Sequence, residues 1–433
     1  MNSRLLAGVF ASALVSTVSM PAMAAAPVGD PLAGLQAMRE VNLIVLGDMK
    51  GGSNVEGKTF VGGNLSNGST FGTGRGSQGA TDSSRATLTV VGNVTGNGIN
   101  LNNGTNAASK PGLIVGGSLN SGVNLNAQGA TVKIGGVAKN INGSNGSTIQ
   151  AGGKKEGNFN SNGASSQFNL GDSFTQPLVA GLTAEQSQLS ADLKALSVEL
   201  AGLEATAGNS TSVFGSRLTF NAVDNGKGYS VFNMSDSLFN FGEFDMKVSD
   251  PAMTILINIT GDGKYDWNAN SIGGLNAALN DNIIWNFSDA TGLNVNRMTH
   301  GSILAPYAAL ANRADLEGSI VAGSFNQGGQ VHLGTYQGNL DPAMFSEAVP
   351  EPATWAMMIG GIGAGVLTAL PPFIFGVLGL AAVPVGRRLG LSGAIVAALA
   401  VSVVGLLLRP VVASVWRAAL PLLAAGLAAF HGH

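Results

Sequence analysis

The 433-residue chain has no cysteine, four histidines, 11% charged residues and 6% aromatics. The missing cysteine excludes a disulfide framework, a thiolate zinc site and a thiol nucleophile. Two of the histidines stand in the last three positions, which leaves His300 and His332 as the imidazoles available to the body. Charge is unevenly placed. Residues 25–350 carry 17 Lys/Arg against 24 Asp/Glu, whereas 352–433 carry four Arg and no acid. A weakly acidic body lacks the basic face that nucleic acid requires, so no nucleic-acid partner is expected. Disorder couples low hydrophobicity to high charge, and a chain that is 45% apolar does not fit that pattern.

The two ends are apolar. Arg4 precedes an apolar run from Leu5 to Val18, and Pro21-Ala22-Met23-Ala24 follows. One positive charge, a short apolar core and small residues at Ala22 and Ala24 predict a secretory signal over 1–24, cut after Ala24. The run is too short to span a bilayer. An exported protein is therefore expected.

At the other end, Val349-Pro350-Glu351-Pro352-Ala353-Thr354-Trp355 leads into an apolar stretch, Ala356 to Leu370. The prolines stop any preceding element, and Trp355 suits a membrane interface. This segment resembles the Pro-Glu-Pro C-terminal sorting signal of exported Gram-negative proteins. The resemblance implies a spanning helix, an Arg-rich end and an exosortase partner, a membrane cysteine transpeptidase acting at Pro350, Glu351 and Pro352. The sequence departs from that pattern: Pro371-Pro372 intervene, Arg387-Arg388 come late, and apolar runs from Leu389 to Leu408 and Val411 to Phe430 follow. The tail, 349–433, thus reads as a hydrophobic helical anchor with several spans, or as a fused or frame-shifted extension. Both readings direct it to a membrane.

Between the ends, Gly is abundant and a theme recurs: Phe60-Val61-Gly62-Gly63-Asn64-Leu65, Val90-Val91-Gly92-Asn93-Val94, Leu113-Ile114-Val115-Gly116-Gly117-Ser118-Leu119, Val132-Lys133-Ile134-Gly135-Gly136-Val137 and Ile149-Gln150-Ala151-Gly152-Gly153. Short β-branched strands at such a period predict stacked coils that bury their apolar residues only against one another. Glycine serves corners where a Cβ would clash or φ must be positive. Asparagine serves similar corners and can ladder along the stack. A sandwich of short hairpins is the competing fold. Leu182, Leu189, Leu193, Leu196, Leu200 and Leu203 form one stripe, predicting an inserted helix over 182–206. Thr183 and Gln186 stand at capping-box spacing, and Gly208 supplies a stop. The stripe is expected to pack along the solenoid or cap its end, rather than form an oligomeric coiled coil. Leu316 to Ser324 echoes Val55 to Gly63, which suggests that first and last coils share one solenoid.

Asn42-Leu43-Ile44-Val45-Leu46-Gly47-Asp48, the Glu56-Gly57 and Gly62-Gly63 turns, Ile284-Trp285-Asn286-Phe287, and Gly301-Ser302-Ile303-Leu304-Ala305-Pro306 with Leu316-Glu317-Gly318 resemble the choice-of-anchor A family. The resemblance covers residues 36–346. It implies a mainly β fold, a parallel β-helix like that of ice-binding adhesins with one long flanking helix, on an exported surface adhesin with interchangeable anchors. It implies no catalytic residue.

His300, His332, Glu56 and Glu317 are the acid–base candidates. No spacing joins them into a triad, and both glutamates precede glycine, where a carboxylate commonly secures a turn. Asp262, Asp266, Asn268 and Asn270 could offer oxygens to calcium, without EF-hand spacing; a hairpin loop is the plainer reading. The run from Gly72 to Gly79 lacks the ending of a phosphate loop, and no cofactor is expected. The expected function is non-catalytic binding of extracellular polysaccharide or surface matrix at the cell surface, with Thr87, Thr89, Thr95 and Thr131 as candidate contacts. A β-helix polysaccharide lyase or hydrolase, an ice-binding protein and a purely structural matrix protein are the alternatives.

Overall fold

The computed structural model describes residues 27–74, 83–102, 112–261 and 263–345. Ala22, Ala24, Asp262, Pro350, Glu351, Pro352 and the tail lie outside them. No described helix is long and apolar enough to cross a membrane.

The described chain winds as a three-sided β-solenoid. One coil consists of Leu43–Val45, Met49–Lys50 and Asn54–Val55, and the next of Thr59–Val61, Leu65–Ser66 and Thr70–Phe71. Equivalent strands of neighbouring coils pair in parallel and in register, so that Leu43, Thr59, Leu88, Leu113, Val132 and Ile149 form one inward column. Facing sheets of a sandwich are absent from the described residues; the antiparallel pairing is confined to Ser210–Phe214 on Arg217–Ala222.

The chain enters the solenoid in its middle. Leu43–Val45 lies between Thr59–Val61 and Ile320–Gln327. Coils climb from there to Ser165–Gln167, which pairs only with Thr148–Ala151. Helix α2, Asp172–Ala201, then carries the chain to the opposite end. Coils containing Tyr229–Ser235, Thr254–Thr260, Ile283–Asn286 and Ser302–Asn312 return to the middle and close on the first coil. Thirty residues of helix span about 45 Å, the height of roughly nine strands stacked at about 4.8 Å. The helix is therefore the return connection, and the echo between Val55–Gly63 and Leu316–Ser324 marks equivalent positions two coils apart, separated at the closure by Leu43–Val45 on one face and Val331–His332 on another.

One side of the solenoid, the helix face, is covered. Outward residues Ile44, Phe60, Leu256, Ile284, Leu304 and Val321 are buried beneath Leu189, Leu193, Leu196 and Leu200 of α2 and beneath Leu35 and Met38 of a shorter helix, α1, Pro31–Glu40. Strands apolar on both sides follow from that double burial. Polar groups fix the helix in register: Asn233, Asn258 and Asn286 donate in turn to the carbonyls of Leu203, Leu200 and Ser197. Asn258 and Asn286 also donate along the ladder at 2.9 Å.

The helix differs from its sequence-based expectation at both ends. It starts at Asp172 rather than near Leu182 and stops at Ala201 with Gly202 as cap, before Gly208. Pro177, in its second turn, reads as a boundary because it removes an N–H. Docking overrides that signal, since Thr175 Oγ1 donates to Gly135 O at 2.7 Å. Thr183 and Gln186 lie inside the helix, and Gln186 bonds Leu46 O instead of capping.

The interior changes character along the axis. Leu, Val and Ile fill the coils of the first half, whereas Phe220, Phe244, Trp267, Trp285 and Phe287 fill the wider coils after the helix. Trp267 and Trp285 meet edge to face at 4.8 Å, a preferred arrangement for aromatic rings.

The glycine corners answer to proximity rather than to φ. A Cβ would stand 2.3 Å from Leu46 O at Gly62, 2.2 Å from Val91 O at Gly116 and 2.0 Å from Gly116 O at Gly135, while none of these residues has positive φ. Gly135→Ala is expected to lower stability by about 1–3 kcal/mol, as overpacking does. Gly181→Ala, on an exposed stretch of α2 with open space around it, is expected to raise stability by about 0.5–1 kcal/mol. Urea unfolding midpoints for the two variants check the contrast; an equal effect from both removes the packing explanation.

Candidate functional site

Two regions combine polar side chains in a way that a fold alone does not require. The first is the seam where the last coil closes on the first. Asn42 clips it: its Nδ2 donates to Gly318 O at 2.7 Å and His332 O at 2.8 Å, and its Oδ1 accepts from Gly57 N at 3.0 Å. Beside this clip the four acid–base candidates, far apart in sequence, converge. Glu317 Oε2 accepts from Asn280 Nδ2 at 2.6 Å and lies 2.5 Å from His300 Nδ1. His332 Nδ1 lies 3.6 Å from Glu317 Oε1, and its Nε2 lies 3.7 Å from Asp315 Oδ2. Glu56 Oε2 accepts from Leu333 N at 2.8 Å.

The electrostatics follow from these contacts. Burial pushes the Glu317 carboxyl upward, but bonds from His300, His332 and Asn280 outweigh it and hold Glu317 well below the ordinary carboxylate range. The Glu317 bond raises His332 above the usual 6.5; burial opposes this, and the charges of Glu56, Asp315 and Glu317 reinforce it. Both Glu317 oxygens are thus engaged by protein groups, an arrangement suited to locking the closure.

The second region is the open face, adjacent to the helix face and uncovered by described residues. Asp266, Asn294, Ala311, Asn326, Lys50, Ser66 and Thr95 form one outward column in strict register, drawn from both halves of the chain and crossing the seam. All are half-buried or exposed, and the inward alternates, among them Leu293, Leu310, Met49 and Leu65, are buried. Along the adjoining corner the side chains bond upward: Asp48 Oδ1 accepts from Asn64 N at 2.7 Å, Asn64 Oδ1 from Asn93 N at 2.9 Å and Asn93 Oδ1 from Ser118 N at 2.8 Å. A shorter outward column, Asn54, Thr70, Asn100, Asn124, Asn142 and Asn160, lies on the third face.

The other candidates are redistributed. Asp266 and Asn268 sit on or beside the open face, where they accept from Asn294 at 2.8 Å and Asn296 at 2.9 Å. Asn270 belongs to the next face, paired with Glu243, so these calcium candidates do not converge. The segment is a corner joining Thr254–Thr260 to Lys264–Trp267, which do not pair with each other, and hence not a hairpin. The threonines do not share one column: Thr87 is buried, Thr89 is buried on the helix face, Thr131 is exposed, and Thr95 is on the open face. Sequence reasoning missed Asn42, Asn280 and Asp315. Asn42 lies inside a motif already noted, but spacing carries no signal that it would meet residues 276 and 290 positions away.

The family described as "Putative Ice-binding-like adhesive domain" matches residues 34–109 and 100–333, which contain the solenoid, α2 and the seam. No curated protein and no solved structure matches the chain.

The pH dependence of the seam follows from its two shifted groups. Stability from His332 is fully present below its ordinary 6.5 and is lost as pH rises through the raised value. Stability from Glu317 is present above 4.5 and is lost as pH falls through its lowered value. The melting temperature is therefore expected to be greatest between these limits and to decline on the alkaline side, a decline absent from His332→Gln. Glu317→Ala, which strands Asn280 and His300, is expected to cost about 1–3 kcal/mol. Calorimetry across pH checks both; an unchanged alkaline slope in His332→Gln removes the assignment.

Proposed function

The chain belongs to the ice-binding-like adhesive domain family, and from that membership we propose that it is an exported surface adhesin that binds extracellular polysaccharide through its open face, without catalysis. The observation that carries this reading is the column from Asp266 to Thr95. Donors and acceptors repeat there at about 4.8 Å, interrupted at Ala311, on side chains that are short except for Lys50. A long polar polymer meets such a surface with many weak, regularly spaced hydrogen bonds. Individually each contributes little after exchange with water; in series along one chain they act at high effective concentration.

The choice-of-anchor A resemblance supports the same reading. Export through the 1–24 signal and sorting at Pro350-Glu351-Pro352 by an exosortase would place the solenoid outside the cell, anchored at least transiently by the tail. The description of the family favours a second reading, in which the same column orders water and binds ice. A hydrolase or lyase is disfavoured by the seam, where Glu317 is already held by three protein groups.

Raised bulk on the open face is the direct test. Ser66→Tyr with Ala311→Tyr is expected to weaken retention on immobilised exopolysaccharide at least tenfold, about 1.4 kcal/mol, with an unchanged melting temperature. Lys133→Tyr, on the helix face, is expected to leave retention intact. Equal retention by all three proteins excludes the open face, and release of new reducing ends or unsaturated sugars by the unaltered protein establishes the enzyme instead. For sorting, mass spectrometry of the surface-exposed protein is expected to find a C-terminus near Pro352; an intact His433 overturns that part.

A further inference from the structure

We infer that the solenoid associates end to end with further copies of itself, the Ser210–Phe214 end of one copy docking on the Lys155–Asn160 end of the next.

The two ends differ from the sides in having unpaired strand edges. At the end reached before α2, Lys155–Asn160 pairs only with Ala138–Asn142, and Ser165–Gln167 only with Thr148–Ala151. At the opposite end, Ser210–Phe214 pairs only with Arg217–Ala222. No described residue pairs with the outer edge of any of these strands. A free edge presents a row of N–H and C=O groups ready for another strand, and soluble chains commonly blunt it with charge, proline or a covering element. Ser210-Thr211-Ser212-Val213-Phe214 has no charged residue and no proline. Its last side chain, Phe214, is 84% exposed, the most exposed large apolar residue described. By contrast, the Tyr229–Ser235 strand at the same end is covered, because Thr206 and Asn209 bond Val231.

Charge selects the occupant. Between 112 and 171 the charged residues are Lys133, Lys139, Lys154, Lys155 and a single acid, Glu156. Between 204 and 250 six acids stand against three bases. A positive end and a negative end on one molecule fit each other on neighbouring copies, whereas like ends repel. Geometry agrees. Lys155–Asn160 has six residues and ends an eight-stranded sheet, and Ser210–Phe214 has five and ends a four-stranded one. Phe214 has apolar partners at the opposite end, where Phe159 and Phe168 meet edge to face at 5.3 Å and are only partly buried. Such a contact joins unlike surfaces, so repetition leaves a free end of each kind and lengthens a filament instead of closing a dimer. The inference is independent of what the open face binds, since that face stays exposed along the filament.

The absence of native cysteine makes disulfide trapping specific. The full chain in neutral detergent, carrying Asn158→Cys and Ser212→Cys together, is expected to give a ladder of cross-linked multimers under mild oxidation. Either single variant is expected to stay monomeric on a non-reducing gel, and an equal mixture of the two to stop at dimer. Adding Phe214→Lys, or working at 1 M NaCl, is expected to reduce the ladder at least fivefold, with the circular dichroism spectrum unchanged. A double variant that stays monomeric, or a Ser212→Cys variant that dimerises alone, overturns the inference. Binding of exopolysaccharide by the trapped multimers is a separate measurement, so failure of either proposal leaves the other standing.

Discussion

A carbonyl oxygen of one coil occupies the place where the next coil's corner residue would carry its Cβ. That approach, which would leave a Cβ only 2.0–2.3 Å from a carbonyl oxygen at Gly62, Gly116 or Gly135, sets the rest of the architecture. It lets successive backbones hydrogen-bond in register without a kink at the corner. Registered stacking in turn aligns inward residues into a continuous apolar column and outward residues into polar rows. A slip of one residue would exchange the two. The corner glycines therefore specify both the core and the polar outward rows.

Stacking alone does not explain the chain path. Beginning in the middle forces a long return, and the return must span the height already built. Helix α2 does this while satisfying its backbone groups within itself, and its leucine stripe covers the helix face as it passes. The cost of this path is a seam between residues nearly 300 positions apart. Ordinary strand pairing crosses it at Leu43–Val45 and Ile320–Gln327, but the third face there has only the short contact between Val55 and Val331. The Asn42 clip and the Glu317 cluster stand beside that thin pairing. Long-range closure carries an entropic cost that local pairing does not, so directional, charge-assisted bonds at this place are physically apt.

Much of the fold was legible because its information is local. The Val-Gly-Gly-Asn theme identified the corner, the inward residues and the asparagine ladder, each of which depends on residues within one or two coils. The leucine stripe identified the buried side of α2 for the same reason. Its start was hidden because Pro177 is a strong local signal that docking at Gly135 overrides. The seam was legible in part, since the echo of Val55–Gly63 in Leu316–Ser324 pointed to a closure and set Glu56 and Glu317 at matching positions. His300, His332, Glu56 and Glu317 drew notice by type, yet their convergence depends on where two halves of a solenoid meet, and no spacing encodes that. The threonines failed in the opposite way, since residues alike in sequence were assigned by register to different faces.

The same register separates the molecule's polar surfaces by what they can do. On the helix face, outward polarity is consumed by the helix, as Asn258 and Asn286 show by bonding both the ladder and α2. At the seam, charge is consumed by closure. On the open face, side-chain bonds run parallel to the axis, between Asn294 and Asp266 or Asn296 and Asn268. That pattern holds the Asn294 and Asn296 amides in place while leaving the outer surface to solvent. Side chains already ordered lose little rotamer entropy when a ligand arrives. A surface of short, preordered amides and hydroxyls therefore suits a polymer whose own groups repeat, because each added contact meets a group whose position is already fixed.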